Sequence, residues 1–476
     1  MSTGPSAGGP REIRDPDAAR DWLAAGLSLI RVGRFGPEAV AEVTPWIRAA
    51  ASDSPALPPP GVIGDLGRLL TASATRVRHD PSGPLGRILR SYEDQVVGRI
   101  AVDPLREPAS DAIRGLPARL RPVAIALFVE QVLERVGFSV PVAIDPGALR
   151  DLDRKTGEEW VVRGSAALRG DAADDLQDAY QDLVACFQRT GRPIAPGDIA
   201  TLEQLELLEM RSERLALRQV VDASAGLCRG LPKRMKPSRR RAGHVSTRLE
   251  DESAYPVGGF SSISTSGAME NLVTSELALM EDGPEIDLFD VRYAESELLY
   301  YTRDETAFVR DRRRITIALD VSVDHLRYRD PGLPYQRTVL VLGLVRGMIE
   351  QLSTWLNRQE LYIRVVLPPG VLKAESRVLQ LATAEWREMG LVTLETLESD
   401  ALVGMLEADA RNAPTDVVWI GAEPAILPDL PHTWQASFAA SPVPAVIGPF
   451  RTPYALPDEP WAAWREAARK ILSDLV

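Results

Sequence analysis

Residues 312–325, RRRITIALDVSVDH, end an apolar run in a carboxylate and then offer two more oxygen-bearing side chains: Asp320, Ser322 and Asp324. Three chemistries could use this set. One is a metal site, since oxygen side chains are ligands of hard divalent cations. An aspartate ending a first strand is also the nucleophile of one class of phosphatases, whose general acid is a second aspartate two residues on. That place is held by Ser322, which cannot protonate a leaving group at neutral pH, and Asp324 is four residues on, the wrong reach. A dinucleotide site would need GxGxxG directly after the strand, and DVSVDHLRYRDPG has no such glycines. The remaining reading is structural. Asp320 and Ser322 would then hold backbone N–H groups of the loop and of the element that follows.

The elements that must position these residues begin at 311. RITIALD is a short continuous apolar run, and YQRTVLVLGLVRGMIEQLSTWL a long helix with Val341, Val345, Met348, Leu352 and Trp355 on one face. LYIRVVLPP reads as a strand, AESRVLQLATAEWREMG as a helix closed by Gly390, and LVTLETL as a strand. DALVGMLEADAR reads as a helix, TDVVWIGA and VPAVIGP as strands, and EPWAAWREAARKILSDL as the closing helix. Alternating apolar strands and helices predict a doubly wound parallel sheet over 311–476, covered on both faces. Ligands of such sheets sit at the carboxyl ends of the strands, where Asp320 falls.

Upstream the pattern changes. A chain of 476 residues is too long for one ordinary core. Residues 1–15 read as a disordered N-terminus, rich in Gly, Ser and Pro. Residues 16–230 read as all-helical, with helix-period positions at Trp22, Leu23, Leu27 and Ile30. SPALPPPG breaks the first helices, RPVAIALFVEQVLERVG reads as a buried helix, and DAADDLQDAYQDLVACFQR and TLEQLELLEMRSERLALRQVVDASAGL as amphipathic ones. Residues 231–244 hold six Lys or Arg within 233–241 and read as a basic linker. Residues 245–310 read as an extension packed on the C-terminal domain. Its GGFSSISTSG could place Gly267 at a helix start with Glu270 nearby, but it lacks the lysine of a phosphate loop.

Composition narrows the function. The net charge of −12 argues against a general nucleic-acid binder. Cys186 and Cys228 form no CxxC, and His79, His244, His325 and His432 no paired-ligand motif, so a cysteine-based zinc site is excluded. No apolar segment opens the chain and no run of 18 or more apolar residues follows, which points to a cytoplasmic protein without a membrane span.

The blocks YPVGGFSSISTSGAMENLVTSELALM, EIDLFDVRYAESELLYYTRDE and RRRITIALDVSVD follow one another in an order that resembles the von Willebrand factor A-like proteins accompanying MoxR-type AAA+ ATPases in bacteria. The resemblance covers about residues 250–476. It implies a domain whose first strand opens into DxSxS, a metal-ion-dependent adhesion site with Asp320, Ser322 and Asp324 as ligands of Mg²⁺ or Mn²⁺. Asp324 stands in place of the last serine, and a second local carboxylate would weaken the ion's pull on a partner's acid. The family's later ligands, a threonine from one loop and an aspartate after a later strand, are not matched, since TDVVWIGAEP ends in Gly421-Ala422-Glu423. The family implies a non-enzymatic adaptor that joins an AAA+ ATPase to a protein client, in a multi-component system of the stress or anti-phage kind. The alternatives are a Mg²⁺-dependent hydrolase using Asp320 and Asp324, and a purely structural scaffold. In the block RYAESELLYYTRDE, Tyr293, Leu298, Leu299, Tyr300 and Tyr301 would pack against the sheet, and Arg292 would pair with Glu295 or Glu297.

Overall fold

The computed structural model describes residues 11–53, 56–71, 84–139, 142–235, 262–265, 269, 272–280, 286–302, 313–358, 361–412, 415–424 and 433–476. Within them the chain divides into two compact units, Met1–Asp222 and Ala223–Val476.

The first unit is built on helices. Asp15 caps the helix Pro16–Ser28 by accepting from the Ala18 N–H at 2.9 Å, and proline at the first helical position donates nothing that is missed. Trp22, Leu23, Leu27 and Ile30 are all buried, as their spacing predicts. The helix Gly157–Ala167 starts in a reciprocal capping box between Thr156 and Glu159. It lies so close to Pro16–Ser28 that a Cβ at Gly164 would collide with the Ala24 carbonyl. The helix Arg121–Val136 ends at Gly137, whose φ of 73° is the left-handed cap. The long amphipathic run at 201–227 resolves into two helices, Pro196–Glu203 and Arg211–Leu227. Arg135 and Arg218 both reach the buried Asp198 at 2.8 Å and tie these helices to Arg121–Val136.

Two features depart from an all-helical reading. Strands β1 (Arg11–Ile13), β2 (Ala56–Leu57) and β3 (Val142–Ile144) form a small sheet in the order β1-β3-β2. Strands of two or three residues are too short to show a period, and β1 lies in the stretch expected to be disordered; residues 1–10 lie outside the described ones. The second feature is a buried polar cluster. Asp65 on the helix Pro60–Thr71 accepts the Arg31 and Val32 N–H groups at 2.6 and 2.7 Å and the Tyr92 hydroxyl at 3.0 Å. Beside it Arg31 pairs with Glu93 at 2.5 Å, on a π-turn, Glu93–Val97, that follows the helix Pro84–Tyr92. Burial pushes the Asp65 carboxyl up to about 7, against the opposing pull of the Val32 and Arg31 N–H groups, the Tyr92 hydroxyl and the Arg31 charge.

The second unit holds a two-stranded ribbon, β4 (Ser262–Ser264) with β5 (Tyr300–Thr302), and a six-stranded sheet. The sheet comprises β6 (Arg313–Leu319), β7 (Leu361–Leu367), β8 (Val392–Thr396), β9 (Thr415–Gly421), β10 (Trp434–Ala439) and β11 (Ala445–Ile447) in the order β11-β10-β9-β6-β7-β8. All neighbours are parallel except β10 and β11. This is the doubly wound sheet the sequence predicts, with helices Arg337–Trp355, Ser399–Asn412 and Pro460–Leu475 between and after its strands. The helix expected over AESRVLQLATAEWREMG is two short ones, Ser376–Ala382 and Ala384–Glu388, broken at Thr383.

The division after Asp222 falls earlier than the basic stretch 231–244, of which 236–244 lie outside the described residues. Small residues explain it. Ala223 and Ser224 lie against Gly343 of the helix Arg337–Trp355, Cys228 and Ser224 against Gly347, and the Trp355 indole N–H donates to the Pro232 carbonyl at 2.9 Å. Residues 223–232 therefore belong to the packing of the second unit.

At the amino end of the sheet, Arg313 is buried and donates to Asp416 on β9 and to the Leu475 carbonyl, both at 2.6 Å. This pins β6, the central strand, so that its other end is presented at a fixed depth.

Candidate functional site at the carboxyl edge of the sheet

The chain order reverses at β6, which has β7 on one side and β9 on the other. The crevice between the carboxyl ends of β6 and β9 is the topological switch point. Asp320 enters it directly, its N–H donating to the Ile420 carbonyl at 2.8 Å. It then caps the 3-10 turn Val321–His325, its Oδ1 accepting from the Ser322 N–H at 2.9 Å and from the Ser322 hydroxyl at 2.6 Å. Ser322 Oγ in turn accepts the Ala422 N–H at 2.9 Å. Gly421 completes the closure: a Cβ there would lie 3.2 Å from Asp320 Cβ and 3.4 Å from Ser322 Oγ. Asp320 and Ser322 thus sew the end of β6 to the end of β9.

Asp324 is on the same turn but faces other partners. Its Oδ1 accepts the Leu372 N–H at 3.0 Å and an Arg327 N–H at 2.8 Å. Arg327 also pairs with Glu375, at 2.8 and 3.1 Å. The Leu372 N–H, then the Arg327 guanidinium, hold the Asp324 carboxyl below the usual carboxylate range. Leu372 stands at φ 52° with its side chain fully buried, a left-handed conformation that costs a leucine strain and is kept where the N–H is needed. Nearby, Arg337 holds Asp330 through two bonds of 2.5 and 2.9 Å and lies over the Tyr328 ring, fixing the loop that follows.

The structure brings Asp320 and Ser322 together and sets Asp324 aside from them. Each of the three side chains is already tied to protein partners in this arrangement. The Ser322 hydroxyl donates to Asp320 and accepts from Ala422, and one Asp324 oxygen carries a guanidinium and a backbone N–H, so an ion would have to compete with these protein partners. The loop after β7 supplies the Leu372 N–H and Glu375 in place of a threonine, and the chain after β9 supplies the Ala422 N–H in place of an aspartate. Among the described residues no group of three or more His, Cys, Asp or Glu side chains could hold a metal ion.

Sequence reasoning missed Arg327 and Glu375. Arg327 carried a signal, the i,i+3 spacing from Asp324; Glu375 lies 48 residues further on and carried none. A separate cleft of about 210 Å³ opens at the carboxyl ends of β7 and β8, between Leu367, Lys373, Ser376, Gln380 and Thr396, and none of the three predicted ligands lines it. Burial pushes the Cys228 thiol up to about 12, with Glu350 adding to the effect, so it offers no nucleophile.

In the extension, Leu298 and Tyr300 are buried, as expected, but in a small cluster with Phe289. Tyr293 is exposed, and Arg292 pairs with Glu276 at 3.3 Å in place of Glu295 or Glu297. The Gly267–Glu270 turn and the Tyr301 side chain lie outside the described residues.

The sheet order, the switch-point turn and its Asp-x-Ser opening define a von Willebrand factor A-like domain behind an N-terminal helical region. Residues 256–384 match the family model described as the vWA domain found in the FtsH ternary systems. Residues 17–242 match a second, described as the N-terminal helical region fused to the FtsH ternary system vWA domain. No curated protein and no solved structure matches the chain. Among the described residues no helix is long and apolar enough to cross a membrane.

Proposed function

We propose that the chain is a non-enzymatic, cytoplasmic adaptor that couples an AAA+ ATPase of the FtsH type to a protein client. The observation that carries the reading is the joint match of the helical region and the domain behind it to families described from FtsH ternary systems. The MoxR-type ATPase implied by the sequence resemblance is the rival partner. The site chemistry gives no support to the hydrolase alternative. Its carboxylates and hydroxyl are engaged in shaping a turn, and Ser322 is paired with a carboxylate, a poor base for activating a serine.

The test is an affinity capture of the tagged full-length chain from its own host, read by mass spectrometry in Mg²⁺ and in EDTA. Enrichment of an FtsH-type ATPase in both conditions is the expected result. A MoxR-type protein in its place would change the partner and keep the adaptor. Absence of any AAA+ ATPase would overturn the proposal.

A further inference from the structure

Among the described residues the exposed large apolar side chains are not evenly spread. Leu277, Met280, Ile286, Leu288, Val291 and Tyr293 are all exposed within 277–293, Ile286 at 81%. They sit on elements that hold one another. The 3-10 turn Glu276–Leu279 is tied to the helix Leu288–Ala294 by the Glu276–Arg292 pair, and Leu279 packs on the Phe289, Leu298 and Tyr300 cluster. Phe289 faces that cluster. Leu288 and Val291, one helical turn apart, share an outward face. Exposed apolar side chains gathered on one folded module mark a contact site.

Charge identifies what fits it. Residues 262–302 contain nine Asp or Glu and one Arg, a net −8 out of −12 for the whole chain. The one arginine is paired with Glu276, while Asp290, Glu295 and Glu297 are exposed on the same module as the apolar residues. We propose that the outward face of Leu288 and Val291, with the exposed Leu277, Met280 and Ile286 of the same module, docks an amphipathic, Lys/Arg-rich helix of a partner protein. Leucine and methionine surfaces accept the apolar side of such a helix, and the carboxylates meet its basic margins. A second copy of this chain or an anionic lipid surface would be repelled by the same charge. The chain's own basic run at 233–241 has the charge but, with Met235 and Pro237 its sole apolar residues, not the apolar side. The inference deepens the adaptor reading and rests on it for the partner's biological identity.

The experiment needs no ATPase, so its failure is separate from failure of the capture experiment. Two fluorescein-labelled helical peptides of one Leu pattern, one with Lys and one with Glu at the polar positions, are titrated with the full-length chain by fluorescence anisotropy. The Leu/Lys peptide should bind, more weakly as salt is raised, and the Leu/Glu peptide should not. Leu288→Ser combined with Val291→Ser should weaken binding about tenfold, with an unchanged melting curve. Val102→Ser combined with Val162→Ser, more exposed apolar sites elsewhere, should leave it unaltered. Equal binding of both peptides, indifference to the Leu288/Val291 pair, or binding to anionic vesicles would overturn the proposal.

Discussion

Ser322 receives the Ala422 N–H and gives its own proton to Asp320, so one hydroxyl joins two strand ends that are 100 residues apart in sequence. That double role sets what each side chain is worth. Asp320→Ala removes the acceptor for the Ser322 N–H and hydroxyl at once and should cost about 1–2 kcal/mol in urea unfolding. If the site works as a protein-bonded turn, the cost is the same in millimolar Mg²⁺ and in EDTA, and the wild-type midpoint is likewise indifferent to the metal. A Mg²⁺-dependent rise of the wild-type midpoint that Asp320→Ala abolishes would show that the oxygens release their protein partners for an ion. The strand-ending aspartate and its serine were legible because an apolar run and its first polar residue are adjacent in sequence. The fate of Asp324 was not. It is decided by Arg327 together with the Leu372 N–H and Glu375, both brought in by the loop after β7.

At the scale of elements, the helix Pro60–Thr71 carries a carboxylate into the core of the first unit, where N–H and O–H donors and the Arg31–Glu93 pair face it. Its folded-state value of about 7 lies above the 3.8 of an unfolded aspartate. The folded protein therefore binds a proton that the unfolded chain has lost between those values. The associated stability is fully present below about pH 4 and is lost as pH rises through 7, with a slope of at most about 1.4 kcal/mol per pH unit. Asp65→Asn keeps an oxygen for the Arg31 and Val32 N–H groups and should flatten that part of the profile, measured by urea unfolding from pH 4 to 8. An unchanged slope in the variant would assign the pH dependence elsewhere. Elements were legible where burial and period agree. β6, β7 and β9 are apolar runs flanked by turns and were read directly; β10, WQASFA, mixes Gln and Ser into a strand held between β9 and β11, and only the sheet makes it one. The break at Thr383 escaped notice because the apolar period continues through it, while the Thr383 hydroxyl bonds back to the Leu379 carbonyl at 2.8 Å.

On the scale of the whole molecule, the question is where one folding unit stops. The basic stretch at 231–244 looks like a boundary because charge and proline mark linkers. Packing places it earlier, since Ala223, Ser224 and Leu227 lie on the last turns of the helix Arg211–Leu227 and Leu227 is buried. Gly343 and Gly347 let the helix Arg337–Trp355 approach Ala223, Ser224 and Cys228 so closely that this segment fills the groove their missing side chains leave. A fragment comprising 223–476 should fold with a cooperative thermal transition. One comprising 245–476 leaves the groove open, exposes the place of a buried leucine and loses the Trp355–Pro232 bond, so it should be less stable by about 2–4 kcal/mol or aggregate. Urea unfolding of the two fragments decides the matter. Equal midpoints would return the boundary to the basic stretch and make residues 223–232 a mere tether. A loss confined to the shorter fragment would mean that the von Willebrand factor A-like domain includes a helix segment from outside its own alternating strands and helices, which no reading of composition alone would have given it.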